Sequence, residues 1–138
     1  MREIIPQLLW IGNALEARDI TRVLQNGTEV VIDLAIEEKP IQFPREIVYC
    51  RFPLIDGHGN APELLQAAVE SAARFVFAKR RSLICCGAGM SRSPAVAAKV
   101  LARIRGCTAE ESLLEIASHG PHDVSPLLWT DLSKAVRD

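Results

Sequence analysis

The sequence predicts an α/β fold: a central, mostly parallel sheet of about five strands with helices on both faces. Three observations carry this expectation. Short apolar runs of strand length alternate with segments of helical period along the chain. Val30-Val31-Ile32-Asp33-Leu34 is apolar almost throughout, as a strand covered on both faces must be. Strands separated by helices need crossover connections, and crossovers make neighbouring strands parallel.

Each element has a local reason. Ile4-Ile5 and the stretch Leu8 to Ile11 are two short strands, separated by Pro6 and ending at Gly12. Between Ala14 and Gln25, Leu15, Ile20, Val23 and Leu24 fall on one helical face. Asn13 can cap this helix and Asn26-Gly27 can end it. The buried strand follows, then a loop containing Pro40 and Pro44. Ile47 to Phe52 is another strand, stopped by Pro53, and Asp56-Gly57-His58-Gly59-Asn60 is a glycine-rich turn with freedom to move. Asn60 and Pro62 suit the cap and first turn of a long helix to about Arg80. Its inward face is Leu64, Leu65, Ala68, Val69, Ala72, Phe75 and Val76. Ser82 to Cys85 is the next strand. Ser93-Pro94 opens a helix that Gly106 closes, Thr108 and Glu111 form a capping box for another, and a final short helix runs through Trp129 and Leu132.

A chain of 138 residues can bury one core and is too short for two ordinary domains, so residues 1–138 read as a single domain. With 49% hydrophobic and 24% charged residues the balance is that of a globular protein rather than a disordered one. A formal net charge of -1 provides no general attraction for nucleic acid or acidic lipid, so anion binding must be local. No apolar run approaches the roughly 20 residues that span a bilayer, and Met1-Arg2-Glu3 does not open a signal peptide; the expectation is a cytoplasmic monomer. Cys50, Cys85, Cys86 and Cys107 contain no Cys-x-x-Cys pair, which argues against a zinc site and for free thiols. Cys50 and Cys107 read as small buried hydrophobes.

Chemistry concentrates in Ile84-Cys85-Cys86-Gly87-Ala88-Gly89-Met90-Ser91-Arg92-Ser93-Pro94, a strand, a loop of small residues and a helix start. Free backbone N–H groups and the positive end of the helix dipole converge there, which makes an anion site. Gly87, Ala88 and Gly89 let the backbone come close. Arg92 adds a planar fork for two phosphate oxygens, which lysine cannot reproduce. A cysteine at the loop's entrance sees the same positive surroundings, which favour thiolate over thiol and make Cys86 the candidate nucleophile.

The spacing Cys86-x-x-Gly89-x-x-Arg92-Ser93 resembles the cysteine-based phosphatase superfamily, whose motif is His-Cys-x-x-Gly-x-x-Arg-Ser/Thr. The flanking text resembles the dual-specificity branch: Ile5 to Gly12, Phe52-Pro53-Leu54-Ile55-Asp56, and Ser125-Pro126 near the end. The resemblance covers nearly the whole chain. It implies that Cys86 attacks phosphorus to give a thiophosphate enzyme. Arg92 and the amides of Gly87, Ala88, Gly89, Met90 and Ser91 would hold the phosphoryl oxygens. Asp56 would be the general acid and Ser93 the hydroxyl that assists loss of the thiolate. It also implies a shallow cleft accepting phosphotyrosine and phosphoserine or phosphothreonine. No metal is required, because Arg92 and backbone dipoles supply the positive charge. No Lys or Arg stands between Cys86 and Arg92, whereas relatives acting on inositol lipids often carry basic residues there. A phosphoprotein or small phosphomonoester is therefore the expected partner.

Two positions depart from the family pattern. Cys85 stands where the family usually has histidine, and a thiol cannot supply the same hydrogen bonds; Cys85→His is expected to speed attack at acidic pH. Leu127 follows Ser125-Pro126 where many relatives carry asparagine. His58, His119 and His122 read as solvated loop residues, with His58 beside the acid loop, and Asp33 reads as a structural hydrogen-bonding group. Two rival readings are a phosphatase-like module that binds phosphorylated partners without turnover, and another thiol enzyme such as a sulfurtransferase or arsenate reductase.

Overall fold

The computed structural model describes all residues, 1–138. Its five-stranded sheet has the order β1-β2-β5-β3-β4, from β1 (Arg2–Ile5), β2 (Leu9–Asn13), β3 (Val30–Ala35), β4 (Val48–Leu54) and β5 (Ser82–Cys86). Only the β1 to β2 pairing is antiparallel; β2 with β5, β5 with β3, and β3 with β4 are parallel. The expected mostly parallel sheet is therefore present, with its one antiparallel strand at an edge. β4 runs through Pro53 to Leu54 instead of stopping at Phe52. As an edge strand it tolerates a residue without an N–H.

The helices are α1 (Ala14–Arg18), α2 (Ile20–Gln25), α3 (Pro62–Phe77), α4 (Arg92–Arg105), α5 (Ala109–Ala117) and α6 (Pro126–Ala135). They divide unequally between the faces. The main core packs Ile11, Ile32, Ile84 and Cys86 of the sheet against Leu65, Val69, Val76, Val96, Val100, Ile116 and Leu132 of the larger helical layer. The opposite face holds a smaller cluster around Trp10, Val23, Val31, Leu83 and Cys85. Adjacent strand residues point to opposite faces, so Cys85 and Cys86 belong to different clusters. None of the helices is long and apolar enough to cross a membrane.

Three local expectations are corrected. The helix predicted over 14–25 is two helices, because Asp19 leaves helical geometry and its carboxylate accepts the Arg22 N–H as the cap of α2. Leu15 and Leu24, expected inward, are 81% and 48% exposed, while Val23 and Ile20 of the same expected stripe do pack against the sheet's smaller core cluster. Asn60 does not cap α3, whose N-cap is Ala61 without a side-chain bond. Thr108 accepts the Glu111 N–H. The reciprocal capping box instead occurs between Asn13 and Glu16.

Candidate active site

In parallel sheets, ligand sites lie beyond the carboxyl ends of the strands. Here β3 delivers Glu37 two residues past its end, β4 delivers Asp56, and β5 ends on Cys86 itself. The loop from Gly87 to Ser91 then turns into α4. Gly89 has a φ of +72°, and a Cβ added to it would lie 2.9 Å from the Gly12 carbonyl carbon. Only glycine meets both demands.

The loop's carbonyls are held from outside. Ala14 N–H donates to the Gly87 carbonyl at 3.1 Å and Asp123 N–H to the Met90 carbonyl at 2.7 Å. The Arg2 guanidinium donates to the Gly89 carbonyl at 2.7 Å and to the Pro121 carbonyl at 2.6 Å. The amides of Gly87, Ala88, Gly89, Met90 and Ser91 donate to no backbone carbonyl. A curved run of unpaired donors at a helix N-terminus is a built anion cradle.

Cys86, Ala88, Met90, Ser91 and Arg92 line a pocket of about 310 Å³, with Asp56 and Asp123 on its wall. That volume is at the low end for small-molecule sites and suits a phosphoryl group with one substituent. Cys86 is 2% exposed, and its sulfur lies 3.0 Å from Ser93 Oγ. Ser93 is thus a partner of the thiol; it is not a helix cap, for Ser91 occupies that position.

Arg92 is buried, and Glu37 grips it end-on. Nη1 donates to Oε1 and Nη2 to Oε2, both at 2.6 Å, while Nη1 also reaches the Leu54 carbonyl at 2.9 Å. Nε remains buried and without a protein partner. Burial alone would make this guanidinium less basic. The Glu37 hydrogen bond and the nearby Cys86, Glu37 and Asp56 charges outweigh it, so the net shift is upward. The Arg92 hydrogen bond likewise draws the half-exposed Glu37 carboxyl below its ordinary range. The pair fixes the fork in orientation and leaves the Nε–H for an anion.

Asp56 accepts the Ser91 hydroxyl at 2.6 Å, and Ser91 Oγ in turn accepts the Ser125 N–H at 2.9 Å. One buried hydroxyl therefore joins the phosphate loop, the Asp56 loop and the start of α6. The freedom expected of the glycine-rich turn is restricted further by Asn60, whose amide accepts the Ile55 N–H at 2.7 Å and donates to the Ile55 carbonyl at 2.8 Å. Behind the loop, Asp33 is buried and accepts the Tyr49 hydroxyl at 2.5 Å and the Ala35 N–H at 3.2 Å, the structural role expected for it. Burial and that bond push Tyr49 up to about 12. Burial foremost, then the Asp33 charge, pushes the Cys85 thiol well above its ordinary value, so Cys85 is an inert packing residue. Cys50 and Cys107 are free and only half-buried.

The structure thus brings Cys86, Ser93, Arg92 and Asp56 near one another. Glu37 and Asp123 were missed. Glu37 carried one usable signal, an acidic residue just past a buried parallel strand; Asp123 carried none beyond its nearness to Ser125-Pro126.

No protein-family model matches the chain. It is 28% identical over 131 residues to the dual specificity protein phosphatase Mpk3 of Drosophila melanogaster, a match covering 90% of this chain and 30% of the relative. The chain therefore spans under a third of that relative's length. Among solved structures it superposes on human DUSP28 with a TM-score of 0.85 at 23% identity, covering 98% of this chain and 94% of the other. A mouse putative dual specificity phosphatase complexed with zinc tungstate gives 0.85 at 22% identity, covering 99% and 86%. The human tyrosine phosphatase-like serine/threonine/tyrosine-interacting protein gives 0.82 at 18%, covering 97% and 93%. At these identities the structural likeness is one of fold.

Proposed function

We propose that the chain is a phosphatase of the dual-specificity type that hydrolyses phosphomonoesters through a covalent cysteine intermediate. The observation that carries the reading is one pocket lined by a nearly enclosed thiol, a clamped arginine with an unpartnered Nε–H, and Ala88, Met90 and Ser91 from a run of five loop amides that donate to no backbone carbonyl.

The phosphoryl dianion sits over Cys86 with its oxygens on the amides of Gly87 to Ser91 and on Arg92. The Cys86 thiolate attacks phosphorus in line, forming the S–P bond as the P–O ester bond breaks. Asp56, in its protonated form, gives its proton to the departing oxygen. Charge developing on the equatorial oxygens is met by donors already in place, so little reorganisation is needed. In the second step water attacks phosphorus and passes its proton to the Asp56 carboxylate, and the S–P bond breaks to release inorganic phosphate. Ser93, 3.0 Å from the sulfur, donates to the thiolate as it leaves.

The substrate class we favour is phosphotyrosine together with phosphoserine and phosphothreonine in proteins, or small phosphomonoesters. The small pocket and the lack of any Lys or Arg between Cys86 and Arg92 support a single phosphate on a short stem. The test sets Cys86→Ser beside the unmodified protein with phosphotyrosyl and phosphothreonyl peptides, measuring phosphate release. Release by the unmodified protein alone is expected; equal release by both removes Cys86 from the mechanism. A stoichiometric burst from an aryl phosphate, expected here, separates turnover from mere binding.

A further inference from the structure

The Asp56 loop has a second anchor on its outer side. Asp131, near the middle of α6, places Oδ2 2.9 Å from His58 Nδ1, and the same oxygen accepts the Gly59 N–H at 3.3 Å. The carboxylate is well seated, its side chain only 20% exposed, while His58 reaches it from solvent at 73%. The loop's glycines face open space: a Cβ added at Gly57 or Gly59 would meet no atom within 4 Å, and Gly59 has a φ of +103°. Side-chain tethers, not packing, therefore decide where this loop points. Ser91 holds its inner edge at Asp56, Asn60 closes its base, and Asp131 gathers two consecutive residues on the far side.

An exposed pair of this kind contributes little to global stability. Its consequence is directional, since a proton donor must come within hydrogen-bond reach of the departing oxygen to be useful. We infer that Asp131 is a positioning residue that aims Asp56 by holding His58 and Gly59, an inference resting on the phosphatase reading above.

Leaving-group chemistry separates aiming from simple support of the fold. p-Nitrophenolate departs readily without a proton, whereas phenolate and alkoxide from phenyl phosphate or a phosphothreonyl peptide need one. General acid catalysis is worth about 10²- to 10⁴-fold, so a loosened donor forfeits part of that only where the proton is required. For Asp131→Ala we expect a loss of about ten-fold in kcat/KM on phenyl phosphate and under about three-fold on p-nitrophenyl phosphate. Asp131→Asn, which keeps an acceptor oxygen for the Gly59 N–H, should recover most of the loss. His58→Ala, at an exposed site that does not endanger folding, should move in the same direction by less. Equal losses on both esters, or no loss on phenyl phosphate with His58→Ala and Asp131→Ala alike, overturns the inference. Asp56→Asn run in parallel keeps the two readings apart. If it fails to discriminate between the esters, the acid assignment falls; if it discriminates and the Asp131 and His58 variants do not, only the tether falls.

Discussion

The two loops that meet over Cys86 are held by different means. The phosphate loop is fixed through its main chain: Gly89 lies against the Gly12 backbone, and the Gly87, Gly89 and Met90 carbonyls are each taken by a donor from outside. The Asp56 loop is fixed through side chains, from Asn60 within its own base and from Ser91 and Asp131 far along the chain. An oxyanion cradle must be right to a fraction of an ångström in every amide, and rigid backbone contacts provide that. A proton donor needs only its tip aimed, and two or three replaceable hydrogen bonds suffice. Damage to the first loop should therefore be larger and less selective than damage to the second.

The largest effect is expected at Arg92→Lys. It keeps a charge but loses the planar fork and leaves Glu37 and the Leu54 carbonyl short of donors. Losing one preorganised donor to a transition-state anion costs about 10²- to 10³-fold, so kcat on p-nitrophenyl phosphate should fall at least about 100-fold. A fall of only a few-fold would mean that the amides alone carry the anion. Next is Gly89→Ala, which meets the Gly12 backbone in a left-handed conformation. It should lower stability by at least about 2 kcal/mol and reduce activity on all esters alike, checked by denaturant melts beside rate assays.

The same contrast explains what was legible in advance. Cys86, Gly89, Arg92 and Ser93 lie within eight residues, and their chemistry depends on local spacing; so do the buried run at β3 and the left-handed stop at Gly106. Asp56 could be named from its flanking text. Its anchors could not, because pairing Asp131 with His58 across 73 positions depends on how α6 settles against α3 and α4. Glu37 was hidden for a similar reason: its value lies wholly in facing Arg92, 55 residues away. The break at Asp19 was a different kind of miss. Aspartate offers its carboxylate to a backbone N–H and so competes with helix continuation, a preference that apolar periodicity does not register.

Ser91→Ala tests the joint between the loops and should rank third. It removes the hydroxyl that donates to Asp56 and accepts the Ser125 N–H, while leaving the loop's own backbone untouched. The lost hydrogen bonds should cost about 1 kcal/mol in stability. On phenyl phosphate kcat/KM should drop about ten-fold and on p-nitrophenyl phosphate much less, since only proton delivery is disturbed. An equal drop on both would assign Ser91 to the cradle rather than to the donor.

The smallest effect concerns Asp123, which shares the pocket wall with Asp56 but joins none of the molecule's ion pairs. An unpaired carboxylate beside a bound dianion repels it, and at an exposed position the interaction is screened to at most about 1 kcal/mol. Asp123→Asn should therefore lower KM for an aryl phosphate by about two- to five-fold with kcat nearly unchanged, and the gain should shrink as salt is added. Its main-chain N–H still braces the Met90 carbonyl, so the cradle stays intact. Should kcat instead collapse, with the loss confined to poor leaving groups, Asp123 and not Asp56 would be delivering the proton, and the anchors on the Asp56 loop would have lost their purpose.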